Sequence, residues 1–221
     1  DLDRLEDPAT LLSLFRRPSG PKALGDYEKA IVFAPTKDGV GRVEGKPSSF
    51  VRLVELLYGE PDRPVVVGVE RPEQVERIFV AIWGQQWRSL RRSFTFCTGS
   101  LSSRTQNGSP FDLQAVPAAE LRRFAKSEHA PNVVCQDEPE PAQQDAEEWL
   151  LRTCADLINP GESSLRQFLR GFARQLPGER KLFKPLAEID VLANKHIRKP
   201  PVRDLIRVVT QSYPRTEDGR E

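Results

Sequence analysis

The sequence predicts an α/β or α+β N-terminal portion followed by an all-helical C-terminal portion. Three observations carry this. Val65-Val66-Val67-Gly68-Val69 is a nearly unbroken valine run, the pattern of a strand buried on both faces. Apolar residues at helical spacing flank it, at Phe50, Leu53, Val54 and Leu57 before and at Val75, Ile78, Phe79 and Ile82 after. From Trp149 onward helical periodicity is the one recurring pattern, and its short connections imply antiparallel packing.

The remaining elements follow in order. Asp7-Pro8 suits a helix start, with Leu11, Leu12 and Phe15 on one face and Pro18 to Pro21 as the stop. The run from Ala30 to Ala34 predicts a short strand. Ser48 or Ser49 opens the helix that Gly59 and Pro61 end, and Pro72 opens the helix after the valine strand. Phe94 to Cys97 and Phe111 to Val116 predict strands, separated by a Ser, Gly and Asn-rich stretch, Thr98 to Pro110, that reads as an exposed loop. Pro117 opens a short helix to about Ala125.

Glu128 to Glu148 holds seven acidic residues, no Lys or Arg, and prolines at 139 and 141. Such a stretch predicts a linker, dividing the chain into portions 1–142 and 143–221. Helices then follow on Trp149, Leu150, Cys154 and Leu157, on Leu165, Phe168, Leu169 and Phe172, on Leu182, Phe183, Leu186, Ile189 and Leu192, and on Val202, Leu205, Ile206 and Val209.

Composition removes several function classes. With 33 Lys and Arg against 32 Asp and Glu, the net charge is +1, and no overall field draws in nucleic acid. No apolar run has the roughly 18 residues needed to span a bilayer. Cys97, Cys135 and Cys154 are too few and too scattered for a disulfide framework or a zinc knuckle, so three reduced, buried thiols and a cytoplasmic setting are expected. The sequence has no methionine and no signal peptide at its start, and a fragment of a longer chain is expected. Gly45-Lys46 is followed by Pro47, and Val40 stands where a phosphate-binding loop needs its first glycine. His129 and His196 are isolated and read as surface residues, so no metal or cofactor is expected. Ser19-x-x-Lys22 encloses a proline and has no partner motifs, and no catalytic residue is nominated.

One constellation suits a binding role. Trp83, Gln85, Gln86, Trp87, Arg88, Arg91 and Arg92 precede a loop holding Ser100, Ser102, Ser103 and Arg104. Arginine forks and hydroxyls could hold a phosphate or a partner carboxylate. The candidate binding residues are therefore Trp87, Arg88, Arg91, Arg92, Ser102 and Arg104. The competing reading is a solvated basic helix face with its tryptophans in the core. A second basic zone spans residues 164 to 203, but few aromatics are interleaved there and nucleic acid is not expected.

The stretches Arg91-Arg92-Ser93-Phe94-Thr95-Phe96-Cys97-Thr98-Gly99-Ser100-Leu101-Ser102 and Pro110-Phe111-Asp112-Leu113-Gln114-Ala115-Val116-Pro117 resemble the N-terminal domain of bacterial GTPase-associated protein 1. Asp1 to Leu5, Leu14 to Pro18, Leu165 to Leu169 and Arg180 to Leu186 are similar to it as well. The family's N-terminal strands have no counterpart ahead of Asp1. The resemblance implies a non-enzymatic adaptor of a bacterial conflict or defence system, docking a GTPase or effector protein and joined to the rest of its own longer chain. It carries over no catalytic residues. Two other readings stay open: a domain sensing a phosphate or other anion through the Arg88–Arg104 region, and an enzyme of a class whose residues are not recognisable.

Overall fold

A computed structural model describes residues 50–71, 73–126, 131–135, 146–159 and 165–195, together with Val43 and single positions 203, 206, 207 and 210. The helix at 7–15, the strand at 30–34, Ser19, Lys22, the Gly45-Lys46-Pro47 stretch, His129 and His196 lie outside the described residues, as do the boundary near residue 142 and most of the last helix.

Val51–Gly59 forms α1 and buries Val51, Leu53, Val54, Leu56, Leu57 and Tyr58. Strand β1, Val65–Val69, is buried at every position. Helix α2, Glu73–Gln85, places Val75, Ile78, Phe79 and Ile82 in the core, as their spacing requires. The short helix α3, Arg88–Ser93, leads into β2, which is only Phe96–Cys97. The stretch expected to be a plain loop contains an antiparallel hairpin, β3 at Thr105–Gln106 and β4 at Ser109–Pro110. Asn107 and Gly108 both have positive φ, 53° and 82°, as a two-residue turn of this hand demands. Strand β5, Leu113–Pro117, follows, then a 3-10 turn at Ala118–Glu120 and helix α4, Leu121–Ala125.

The acidic segment read as a linker holds a strand as well. Asn132–Cys135 forms β6 and pairs with β1. Its four residues sit between Pro131 and an acidic, proline-bearing run, so composition hid a Val-Val pair that the sheet completes. The sheet runs β2-β5-β1-β6, and every pairing in it is parallel.

Both faces of the sheet are covered, as a parallel sheet requires. Val65, Val67, Val69, Leu113 and Ala115 face the large apolar cluster, which includes residues of α1 and α2. Val66 and Val116 face Leu121 and Phe124 of α4. Gly68 lies on that second face by strand alternation, and α4 comes close there: a Cβ would sit 2.9 Å from Leu121 Cδ2.

The helical portion consists of α5 (Glu148–Ile158), α6 (Leu165–Phe172) and α7 (Phe183–Lys195). Trp149, Leu150, Leu157, Leu165, Leu169, Phe183 and Leu186 belong to the same apolar cluster as β1 and α1. One apolar core thus draws residues from both the 1–142 and the 143–221 portion. Tyr58 stacks on Phe183 with ring centroids 3.7 Å apart. Arg180 anchors the junction: its Nε lies 3.0 Å from Asp112 Oδ1, and its other nitrogens donate to the carbonyls of Leu57, Pro61 and Arg63.

Two buried acids give a pH signature. Burial pushes the Cys154 thiol up to about 12 and holds the Tyr58 phenol above its ordinary value. In the unfolded chain they ionise near about 8.5 and 10. Folded pKa values are raised, so this stability is complete below the unfolded values and is lost as pH climbs toward the folded ones. Urea midpoints should fall as pH rises from about 8 to 11, and Tyr58→Phe should make the fall shallower above about 10, leaving the Cys154 part. An identical fall in Tyr58→Phe would refute the assignment to Tyr58.

Candidate functional site

The strand connections define where a ligand fits. From β1 the chain crosses to β2 through α2 and α3 on one face. From β5 it crosses to β6 in the opposite direction through α4 on the other face. Right-handed crossovers running in opposite directions place their helices on opposite faces. Neighbouring strands β1 and β5 thus part company at their carboxyl ends, and that is where open α/β sheets leave a crevice.

A crevice of about 400 Å³ opens at this point. Val69 and Glu70 line it from the end of β1, Val116 and Pro117 from the end of β5, and Gly99, Ser100, Leu101, Ser102 and Arg104 from the segment after β2. That segment is pinned from below. Ser100 N–H donates to the Ala115 carbonyl at 3.0 Å, and Ser100 Oγ donates to the Ser102 carbonyl. The Gln114 side chain, buried on β5, accepts from Arg104 N–H at 2.9 Å. A buried glutamine thus fixes the backbone of Arg104 while its guanidinium stays exposed.

The charges in the crevice are unspent. Among the described residues neither the Arg104 guanidinium nor the Glu70 carboxylate has a hydrogen-bond or ion-pair partner. Cys97 lies close by. Burial pushes its thiol up, while an N–H of Gly99 and the charge of Arg104 pull it the other way. Leu101 stands on the rim, 71% exposed. No group of three His, Cys, Asp or Glu residues able to hold a metal occurs among the described residues.

A second hollow of about 340 Å³ lies at the amino edge of the strands, with Asp62, Ser93, Asp112, Glu179, Arg180 and Lys181 in its wall. Most of its polar groups already serve each other. Arg180 holds Asp112, Lys181 pairs with Glu179, and Ser93 Oγ donates to the Gly178 carbonyl. Of the two hollows, the carboxyl-edge crevice presents an arginine whose guanidinium has no partner among the described residues.

The structure divides the six residues singled out in the sequence. Ser102 and Arg104 line the crevice. Arg88 and Arg92 are exposed on α3, which precedes β2 and lies outside the crevice wall. Trp87 and Arg91 require correction. Trp87 is 1% exposed, and its indole N–H donates to the Pro177 carbonyl at 3.2 Å. Arg91 is 7% exposed and clamps the end of α2: Nε donates to the Gln86 carbonyl at 2.9 Å, and another nitrogen to the Gly84 carbonyl. Its guanidinium also lies over the Trp83 ring, 5.2 Å from the centroid. Helix-end carbonyls need donors, and Arg91 supplies them; both side chains are buried in the core. Glu70 was missed, although its position directly after a buried parallel strand is the available signal.

Comparison with protein-family models, with curated proteins and with solved structures finds no match to this chain.

Arg91 and Arg92 separate in an unfolding experiment. Arg91→Ala removes charge-assisted bonds to buried carbonyls and should cost about 2–4 kcal/mol in urea-derived stability. Arg92→Ala, at an exposed position, should cost less than about 1 kcal/mol. Equal effects would contradict the clamp.

Proposed function

We propose that the chain is a ligand-binding module of a multi-part adaptor, and that the crevice at the carboxyl edge of its sheet takes a small anionic ligand. The observation that carries this reading is Arg104, held by its backbone at the strand switch point with its guanidinium unpaired among the described residues. A guanidinium offers five fixed donors and matches phosphate or carboxylate in two-point contact. Ser102 adds a hydroxyl beside it. The volume lies within the range of small-molecule sites. The reading is of binding, and the nearby Cys97 thiol is raised by burial.

Calorimetric titration of the chain with inorganic phosphate and pyrophosphate tests this. Binding at about millimolar strength or tighter is expected, and Arg104→Ala should weaken it at least about tenfold while Arg88→Ala leaves it unchanged. Absence of binding, or binding indifferent to Arg104→Ala, would sink the proposal.

A second reading is favoured by the surface of α6. Phe172 is 57% exposed and stacks on Phe168 at 5.2 Å, with Arg170 and Arg174 exposed nearby in sequence. An aromatic pair with one exposed and one half-buried ring, flanked by arginines, suits a protein interface. On this reading, and in line with the resemblance to GTPase-associated protein 1, the face docks a GTPase or effector protein. Phe172→Ser should then lower affinity for the GTPase or effector partner by about tenfold or more at unchanged melting temperature. Unchanged affinity would dismiss the docking role of this face.

A further inference from the structure

The crevice holds more than a site for an anion. Glu70 and Arg104 line one cavity of about 400 Å³, yet neither has a partner among the described residues, the other included. An ionised carboxylate only accepts hydrogen bonds, and a guanidinium only donates them. A ligand that satisfies both must bring hydroxyl or other donors to Glu70 and an anion to Arg104.

The walls between add a third requirement. Half-buried Pro117 presents apolar surface, and Leu101 extends it at the rim. A planar, weakly hydrated group would cover that surface. Inorganic phosphate meets one of these demands. A free amino acid has an ammonium and a carboxylate on a single carbon, and leaves most of the volume and the apolar wall empty. A ribonucleotide meets all three: vicinal hydroxyls suit a carboxylate, the phosphate suits an arginine, and the base suits the apolar wall. The position agrees as well, since the carboxyl edge at a strand switch point is where nucleotides lie on open parallel sheets.

We infer that the ligand of this crevice is a ribonucleoside phosphate, with Glu70 accepting from the ribose hydroxyls, Arg104 and Ser102 holding the phosphate, and Leu101 and Pro117 flanking the base. This rests on the proposed anion-binding role of the crevice and specifies its ligand. Glu70 thereby selects ribose over deoxyribose sugars, and Arg104 supplies affinity shared by every phosphorylated ligand.

The test is calorimetric titration of the chain with the four common ribonucleoside monophosphates, with their analogues lacking both ribose hydroxyls, with leucine and with inorganic phosphate. At least one ribonucleotide should bind about tenfold or more tighter than inorganic phosphate and than its own dideoxy analogue. Glu70→Ala should abolish the preference for the ribonucleotide while phosphate binding and melting temperature stay as in the parent. Arg104→Ala should weaken ribonucleotide and phosphate together. If phosphate binds through Arg104 but no ribonucleotide binds more tightly, or the ribo and dideoxy forms bind alike, the nucleotide inference fails and the anion site stands. Leucine binding as tightly as the best nucleotide would also overturn it. If no anion binds, the anion site itself fails and the nucleotide inference falls with it.

Discussion

The two-sided burial of β1 is the constraint on which the rest of the molecule depends. A strand of four valines and a glycine, hydrogen-bonded to a parallel neighbour on each edge, has apolar side chains above and below the sheet. Each face needs a layer. Leu121 and Phe124 of α4 cover one, with Gly68 admitting their approach. The other face is larger and is closed by α1 and α2, with the helices α5 and α7 packed behind them. At about 25 cal/mol per Å² of apolar surface removed from water, this shared core outweighs any single polar contact in the fold.

Polar groups decide how the layers register. Asp156 and Arg166 are buried together, Arg166 Nε donating to Asp156 Oδ2 at 2.7 Å. Gln85, at the end of α2, donates to the same oxygen at 2.7 Å and to the Thr153 carbonyl at 3.0 Å. Three helices thus meet at one carboxylate. The desolvation of such a pair offsets much of its attraction, so its contribution lies less in net stability than in the loss incurred if one member is removed. Arg180 does the equivalent at the amino edge of the sheet, where Asp112 also accepts from Thr95 N–H at 2.8 Å. By contrast the Arg52–Glu55 pair is about half exposed on both sides and adds little.

Three arginines illustrate how position assigns chemistry to one residue type. Arg91 is spent on carbonyls at a helix end, Arg180 on Asp112 and three carbonyls, and Arg104 on nothing among the described residues. Only the last is available to a ligand. The amino edge of the sheet is consumed in joining the helical portion to the strands. The carboxyl edge, where the connections diverge, is left open and carries the crevice.

By itself the sequence determined the elements whose signal is local. The valine run specified β1, the apolar spacing specified α1, α2, α5 and α7, and Asn107-Gly108 contains the hairpin turn for anyone who asks what two positive φ values need. Burial at period 3.6, or on both faces of a strand, is written in consecutive residues. Tertiary structure alone decided the rest. The strand β6 is four residues inside an acidic, proline-bearing segment, and it becomes a strand because β1 offers it an open edge. Whether Trp87 and Arg91 are surface or core depends on the loop at Pro177 and on the end of α2, and no pattern within Trp83–Arg92 reveals either. Glu70 and Arg104 stand 34 positions apart in the chain and share a crevice only because β1 and β2 are both parallel to β5 and end on the same edge of the sheet. Such a site is a property of strand order, and strand order is set by long-range pairing that single residues do not encode.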